Sequence, residues 1–127
     1  MNTDLLNGGT LAFIGDAVMT LQIREYLISI GYTRSKQLQE ITSAYVSATN
    51  QAKFVHRIMN QLTEEETEVY KRGRNFKSHS SAKNANILDY RAATGLEALW
   101  GYWYLNKNYD RLQEMFIQLT EEKKEEQ

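Results

Sequence analysis

Apolar side chains recur at steps of three and four along nearly the whole of this 127-residue chain, and no proline interrupts them. Because an α-helix turns once every 3.6 residues, such spacing gathers the apolar groups into one stripe that a partner helix can cover. Leu11, Ile14, Val18, Leu21, Ile23 and Leu27 predict a helix over residues 11–30, closed by Gly31. Thr33 or Ser35 is expected to cap a second helix carrying Leu38, Ile41, Ala44, Tyr45 and Ala48. Ala52, Val55, Ile58, Met59 and Leu62 continue the pattern, and a cap within residues 47–50 favours two helices here over one. Thr63-Glu64-Glu65-Glu66 reads as a capping box opening a helix that runs to about Arg74. Residues 75–86 (NFKSHSSAKNAN) carry no apolar period and predict an exposed loop. A central core helix follows over residues 87–105, with its large side chains at Leu88, Leu96, Leu99, Trp100, Trp103 and Tyr104. Asn108 is placed to cap a last helix that fades into a Glu/Lys tail.

The expectation is an all-α fold: a single helical domain spanning residues 1–127, with residues 1–8 and 121–127 as flexible ends. A hydrophobic share of 42% against 24% charged residues suits a packed globular core. Cysteine is absent, which excludes a disulfide framework and a thiolate zinc site and points to the cytoplasm. No apolar run approaches the roughly 20 residues that cross a bilayer, so no membrane partner is expected. His56 and His79 lack metal-ligand spacing and are read as surface or loop residues.

A net charge of −1 hides an uneven distribution. Lys71, Arg72, Arg74, Lys77 and Lys83 fall between Val69 and Leu88 with no acid among them, a candidate anion site, although basic residues also suit a helix C-terminus. Two acids break the pattern in the opposite sense. Asp16 interrupts an apolar run from Leu11 to Met19, and Glu97 stands between Gly95 and Gly101 in the core helix. A carboxylate on an apolar helix face must be paired, hydrogen-bonded or ligated to a cation. Arg24 and Arg91 are possible ion-pair partners; alternatively, the two acids together offer the hard oxygen ligands that Mg²⁺ prefers.

Leu11-Ala12-Phe13-Ile14-Gly15-Asp16-Ala17 resembles the first motif of the Mini-ribonuclease III family, a shortened relative of ribonuclease III. Val46-Ser47-Ala48 with Gln51-Ala52, then Lys71-Arg72-Gly73-Arg74-Asn75 with Lys77-Ser78, resemble its next helix and its basic loop. Tyr90-Arg91, Gly95-Leu96-Glu97-Ala98-Leu99 and Gly101-Tyr102 resemble its last motif.

The resemblance implies a ribonuclease III catalytic domain without a separate double-stranded-RNA-binding domain. It implies Asp16 and Glu97 as catalytic, metal-binding acids, Mg²⁺ as cofactor with Mn²⁺ able to substitute, and hydrolysis of double-stranded RNA to 5′-phosphate and 3′-hydroxyl ends. Arg72, Arg74, Asn75, Lys77 and Lys83 become the RNA contacts, precursor large-subunit (23S) ribosomal RNA the expected substrate, and a homodimer the expected assembly, with the helix of residues 11–30 at its interface. The chain departs from larger ribonuclease III enzymes at Ala12 and Thr94, where those resemble each other in having glutamate and aspartate. The thinner acid set leaves a non-catalytic RNA-binding or ribosome-assembly factor as the alternative reading.

Overall fold

The computed structural model describes residues 1–77 and 86–125. Among them are six α-helices and no strand: α1 Gly8–Ser29, α2 Ser35–Val46, α3 Ala48–Ile58, α4 Glu64–Arg74, α5 Ile87–Leu105 and α6 Tyr109–Glu125. The all-α expectation therefore holds, and α4 and α5 keep the expected ends. Of the predicted loop, residues 78–85 lie outside the described residues.

The helix starts follow their caps. Asn7 Oδ1 accepts from Thr10 N at 2.8 Å, so α1 begins three residues earlier than the apolar period alone indicates. Ser47 accepts from Asn50 N at 3.1 Å and separates α3 from α2. Thr63 and Glu66 form the reciprocal capping box of α4. One expectation fails: α2 is preceded by Arg34 in extended conformation, and neither Thr33 nor Ser35 supplies a capping bond. α1 ends as expected at Gly31, whose φ of 107° suits a residue without a Cβ.

Helix α5 is the axis of the molecule. Ala92, Leu96, Leu99, Trp100 and Trp103 are buried on several of its sides, because α1, α3, α4 and α6 pack around it. The two tryptophans form the core as expected, with centroids 5.5 Å apart and both indole N–H groups satisfied, by Gln22 at 2.7 Å and Glu66 at 2.7 Å. Ahead of α1, Thr3 is buried, and its side chain accepts from Asn106 at 3.2 Å, tying the first residues to the end of α5.

Candidate active site

The two acid-bearing helices cross backbone to backbone. A Cβ on Gly15 would overlap the Glu97 carbonyl oxygen and come within 2.7 Å of Gly101 N, and one on Gly101 would overlap the Leu11 carbonyl. Small residues thus let α1 and α5 approach until Asp16, next to Gly15, meets Glu97. Their carboxyl groups line one cleft, close enough for Asp16 to raise the Glu97 carboxyl.

Glu97 is partly buried, but Asp16 is exposed, which corrects the expectation that both acids are submerged. The outward turn of α1 at this point explains the difference: its buried stripe is Leu11, Ala12, Gly15, Met19 and Ile23, and Asp16 stands beside it, at the mouth of a cleft. Burial first, then the neighbouring Asp16 carboxyl and its charge, push the Glu97 carboxyl from the ordinary value of 4.5 up to about 8, against the opposing pull of the Gln51 amide. Neither Arg24 nor Arg91 forms an ion pair with either acid among the described residues.

The cleft has a volume of about 320 Å³, is open to solvent, and is lined by Ala12, Asp16, Phe76, Tyr90, Thr94 and Glu97 among others. A larger groove of about 470 Å³ between α1 and α2, bordered by Arg24, Ile28 and Gln39, holds no carboxylate, so chemistry rather than size picks out the site. Ala12 and Thr94 lie in the same cleft as the acids, because they stand four and three residues before Asp16 and Glu97 on the same helix faces. No group of three or more potential metal ligands occurs among the described residues. Two neighbouring carboxylates with no cationic side chain among the described residues lining the cleft nonetheless fit a hard divalent ion, and Mg²⁺ needs only one or two protein carboxylates because it retains waters.

The basic segment divides by role. Arg72 is half-buried, and its Nη1 donates to the carbonyls of Leu6 at 2.7 Å and Thr3 at 3.2 Å, so its guanidinium is engaged in holding the N-terminal turn. Arg74 lies over the Tyr70 ring at 5.7 Å and donates through Nε to Asn75 at 3.1 Å. Asn75 and Lys77 are exposed, whereas Lys83 and His79 lie outside the described residues. Phe76 covers Gly9, where an added Cβ would come within 2.5 Å of its ring, so the start of the basic segment is laid against α1 beside the cleft. His56 is exposed on α3, away from the acids' shared cleft.

In the sequence Gln51 stands out only through the Gln51-Ala52 part of the family resemblance, which assigns it no role. Its signal was a polar residue in line with Ala52, Val55 and Ile58, on the side of α3 that is buried.

Residues 9–108 match the Ribonuclease III domain family. The Mini-ribonuclease 3 of Enterococcus faecalis is 47% identical over 112 residues, covering 87% of this chain and 85% of that one. The Streptococcus pneumoniae Mini-ribonuclease 3 is 44% identical, covering 91% of each chain. The chain belongs to the Mini-ribonuclease 3 family. Accordingly it is an endoribonuclease, and the acid pair lies within the matched domain. A crystal structure of a Fusobacterium nucleatum protein superposes with a TM-score of 0.85 at 31% identity, covering 94% of this chain and 95% of that one. A Brevibacillus brevis Mini-ribonuclease 3 is 48% identical over 115 residues.

Proposed function

We propose that this Mini-ribonuclease 3 family member is a Mg²⁺-dependent homodimer that cleaves double-stranded RNA in the cytoplasm, acting in maturation of precursor 23S ribosomal RNA. The observation that carries the reading is the meeting of Asp16 with Glu97 in a solvent-open cleft whose lining, among the described residues, includes no cationic side chain to neutralise the pair. Both acids would hold the cation, with Mn²⁺ an acceptable substitute. When bound, the cation supplies charge neutralisation at phosphorus and eases deprotonation of the attacking water. Hydrolysis forms a bond from water oxygen to phosphorus and breaks the bond to the 3′-oxygen, leaving a 5′-phosphate and a 3′-hydroxyl.

Arg74, Asn75 and Lys77, with Lys83 beyond them in sequence, are suited to grip backbone phosphates and 2′-hydroxyls, the groups through which an RNA duplex is mainly read. Arg72 contributes by fixing the helix that presents them. Support for the dimer comes from the outer face of α1. Leu21, 57% exposed, borders an apolar groove of about 390 Å³ there with Ile14, Val18, Tyr104, Tyr109 and Leu112, and Phe13, 81% exposed, stands on the same helix at the rim of the acid cleft. A two-fold axis through such a face would cover it and place two clefts against the two strands of a duplex.

The test is cleavage of an end-labelled RNA duplex with Mg²⁺ or with chelator. Wild type should cut only with the cation, and Asp16→Asn and Glu97→Gln should lose cutting while keeping helical content and duplex binding. In chelator, Glu97→Gln should melt at or above the wild-type temperature, because it removes one of two crowded acids. Cutting that persists in chelator, or variants that unfold, would overturn the reading. Mapping the ends on precursor ribosomal RNA checks the substrate, and light scattering of Leu21→Arg against wild type checks the dimer.

A further inference from the structure

We propose that Gln51 is a positioning residue, whose buried side-chain amide holds one side of the Glu97 carboxylate and aims the remainder at the cation shared with Asp16. The inference rests on the reading of the cleft as a divalent-cation site. It begins with where Gln51 sits. Helix α3 buries Gln51, Ala52, Phe54, Val55 and Ile58, and Gln51 is only 2% exposed within that set. Leucine or methionine at this position would fill the same space without burying an amide, which is costly unless its hydrogen bonds are made.

The amide has two side-chain neighbours of note. Its Nε2 lies 3.3 Å from Met19 Sδ on α1, a weak acceptor that gives little return for a buried donor. The other is Glu97 on α5, whose charged carboxylate the nearby Gln51 amide favours against the upward pull of burial. Gln51 therefore reaches from α3 to the α1–α5 crossing, on the core side of the acid pair, while the cleft opens on the solvent side. An N–H donor on the core side occupies one lone pair of the carboxylate and fixes its tilt, leaving the outward oxygen for a ligand. Where Ala12 and Thr94 supply no further carboxylate, the orientation of each acid present matters more, and groups that orient metal ligands commonly change affinity by about 10–100-fold.

The test is calorimetric titration of the full chain with Mn²⁺ alone, without RNA, alongside thermal unfolding in chelator. Gln51→Met keeps length and packing beside Met19. It should unfold cooperatively at or above the wild-type temperature, yet bind Mn²⁺ about tenfold or more weakly, and the Mg²⁺ concentration for half-maximal cleavage should rise in parallel. A purely structural role would lower the melting temperature and leave the Kd unmoved. Gln51→Leu is measured in parallel. A wild-type Kd in either folded variant, or failure of both to fold, overturns the proposal. Asp16→Asn separates the two levels: if it weakens Mn²⁺ binding and Gln51→Met does not, only the role of Gln51 falls; if neither does, the cation site falls with it.

Discussion

The Arg111 guanidinium of α6 clasps the buried Glu66 carboxylate of α4, donating from Nη2 to Oε1 at 2.8 Å and from Nε to Oε2 at 3.0 Å. Trp103 Nε1 adds a third donor at 2.7 Å and Thr63 N a fourth at 2.9 Å. The residue that opens α4 thus also fastens α4 to α5 and α6, the scaffold on which Glu97 and the basic segment sit.

Removing that charge should be costly and pH-dependent. Burial alone would raise the Glu66 carboxyl, but Arg111, the Thr63 N–H and Trp103 outweigh it and hold the group below its ordinary 4.5. A carboxyl whose folded value is depressed adds stability that is fully present above its unfolded value and lost as pH falls through the folded one. Glu66→Gln should therefore lose about 3 kcal/mol at neutral pH, since it leaves Arg111 facing a neutral partner. Melting curves from pH 7 down to 3 should show the gap between variant and wild type narrowing below about pH 4.5. A gap that stays constant through that range would show that the charge is not what matters.

Gly15→Ala tests the helix crossing. The added methyl would overlap the Glu97 carbonyl, so α1 and α5 must part or the chain must lose stability, on the order of 3 kcal/mol. Either way Asp16 and Glu97 separate. Thermal melts and cleavage assays should both fall, and a variant that keeps wild-type stability and activity would mean that the close approach is dispensable.

Arg72 and Arg74 should part company under mutation. Arg72→Ala loses two charge-assisted bonds to backbone carbonyls and should lower stability by about 2 kcal/mol. Arg74→Ala should leave the melting temperature nearly unchanged, weaken duplex binding, and flatten the slope of log affinity against log salt by about 1. Binding isotherms at several salt concentrations, paired with melts, distinguish the two. Equal effects of both variants on melting would remove the division of roles.

The helices were legible in the sequence because burial and period coincide at Leu11, Ile23 and Leu27, although Leu21 of the same period is 57% exposed, and because Ser47, Thr63 and Gly31 are local signals that tertiary contacts do not override. Asp16 and Glu97 were legible as exceptions to that period. What the pattern could not carry is rotation and partnership. Asp16 lies one position off the buried stripe, so an apolar neighbourhood in sequence did not make it buried in space. Arg72 and Arg74 are alike in the sequence, but Arg72 lies where the carbonyls of Thr3 and Leu6 come within reach, a contact across more than sixty residues. The cap of α2 failed for a related reason: hydroxyl residues flank its start, yet Arg34 occupies the capping position.

Thr94→Asp should convert the thin acid set into a richer one. Thr94 stands one turn before Glu97 and lines the same cleft, and its hydroxyl donates to the Tyr90 carbonyl of its own helix at 3.0 Å. An aspartate there would place a third carboxylate beside Asp16 and Glu97 and so raise the charge offered to a hard cation, while crowding like charges when none is bound. In chelator the variant should melt below wild type, by about 1–2 kcal/mol of stability. Saturating Mn²⁺ should close or reverse that gap, with a Kd several-fold tighter than wild type, because stabilisation by a ligand grows with its affinity for the folded state. Unfolding curves at graded Mn²⁺ concentrations read both effects in one experiment. Were the variant destabilised alike with and without the ion, position 94 would not face the cation, and the cleft would have to be centred elsewhere along α5.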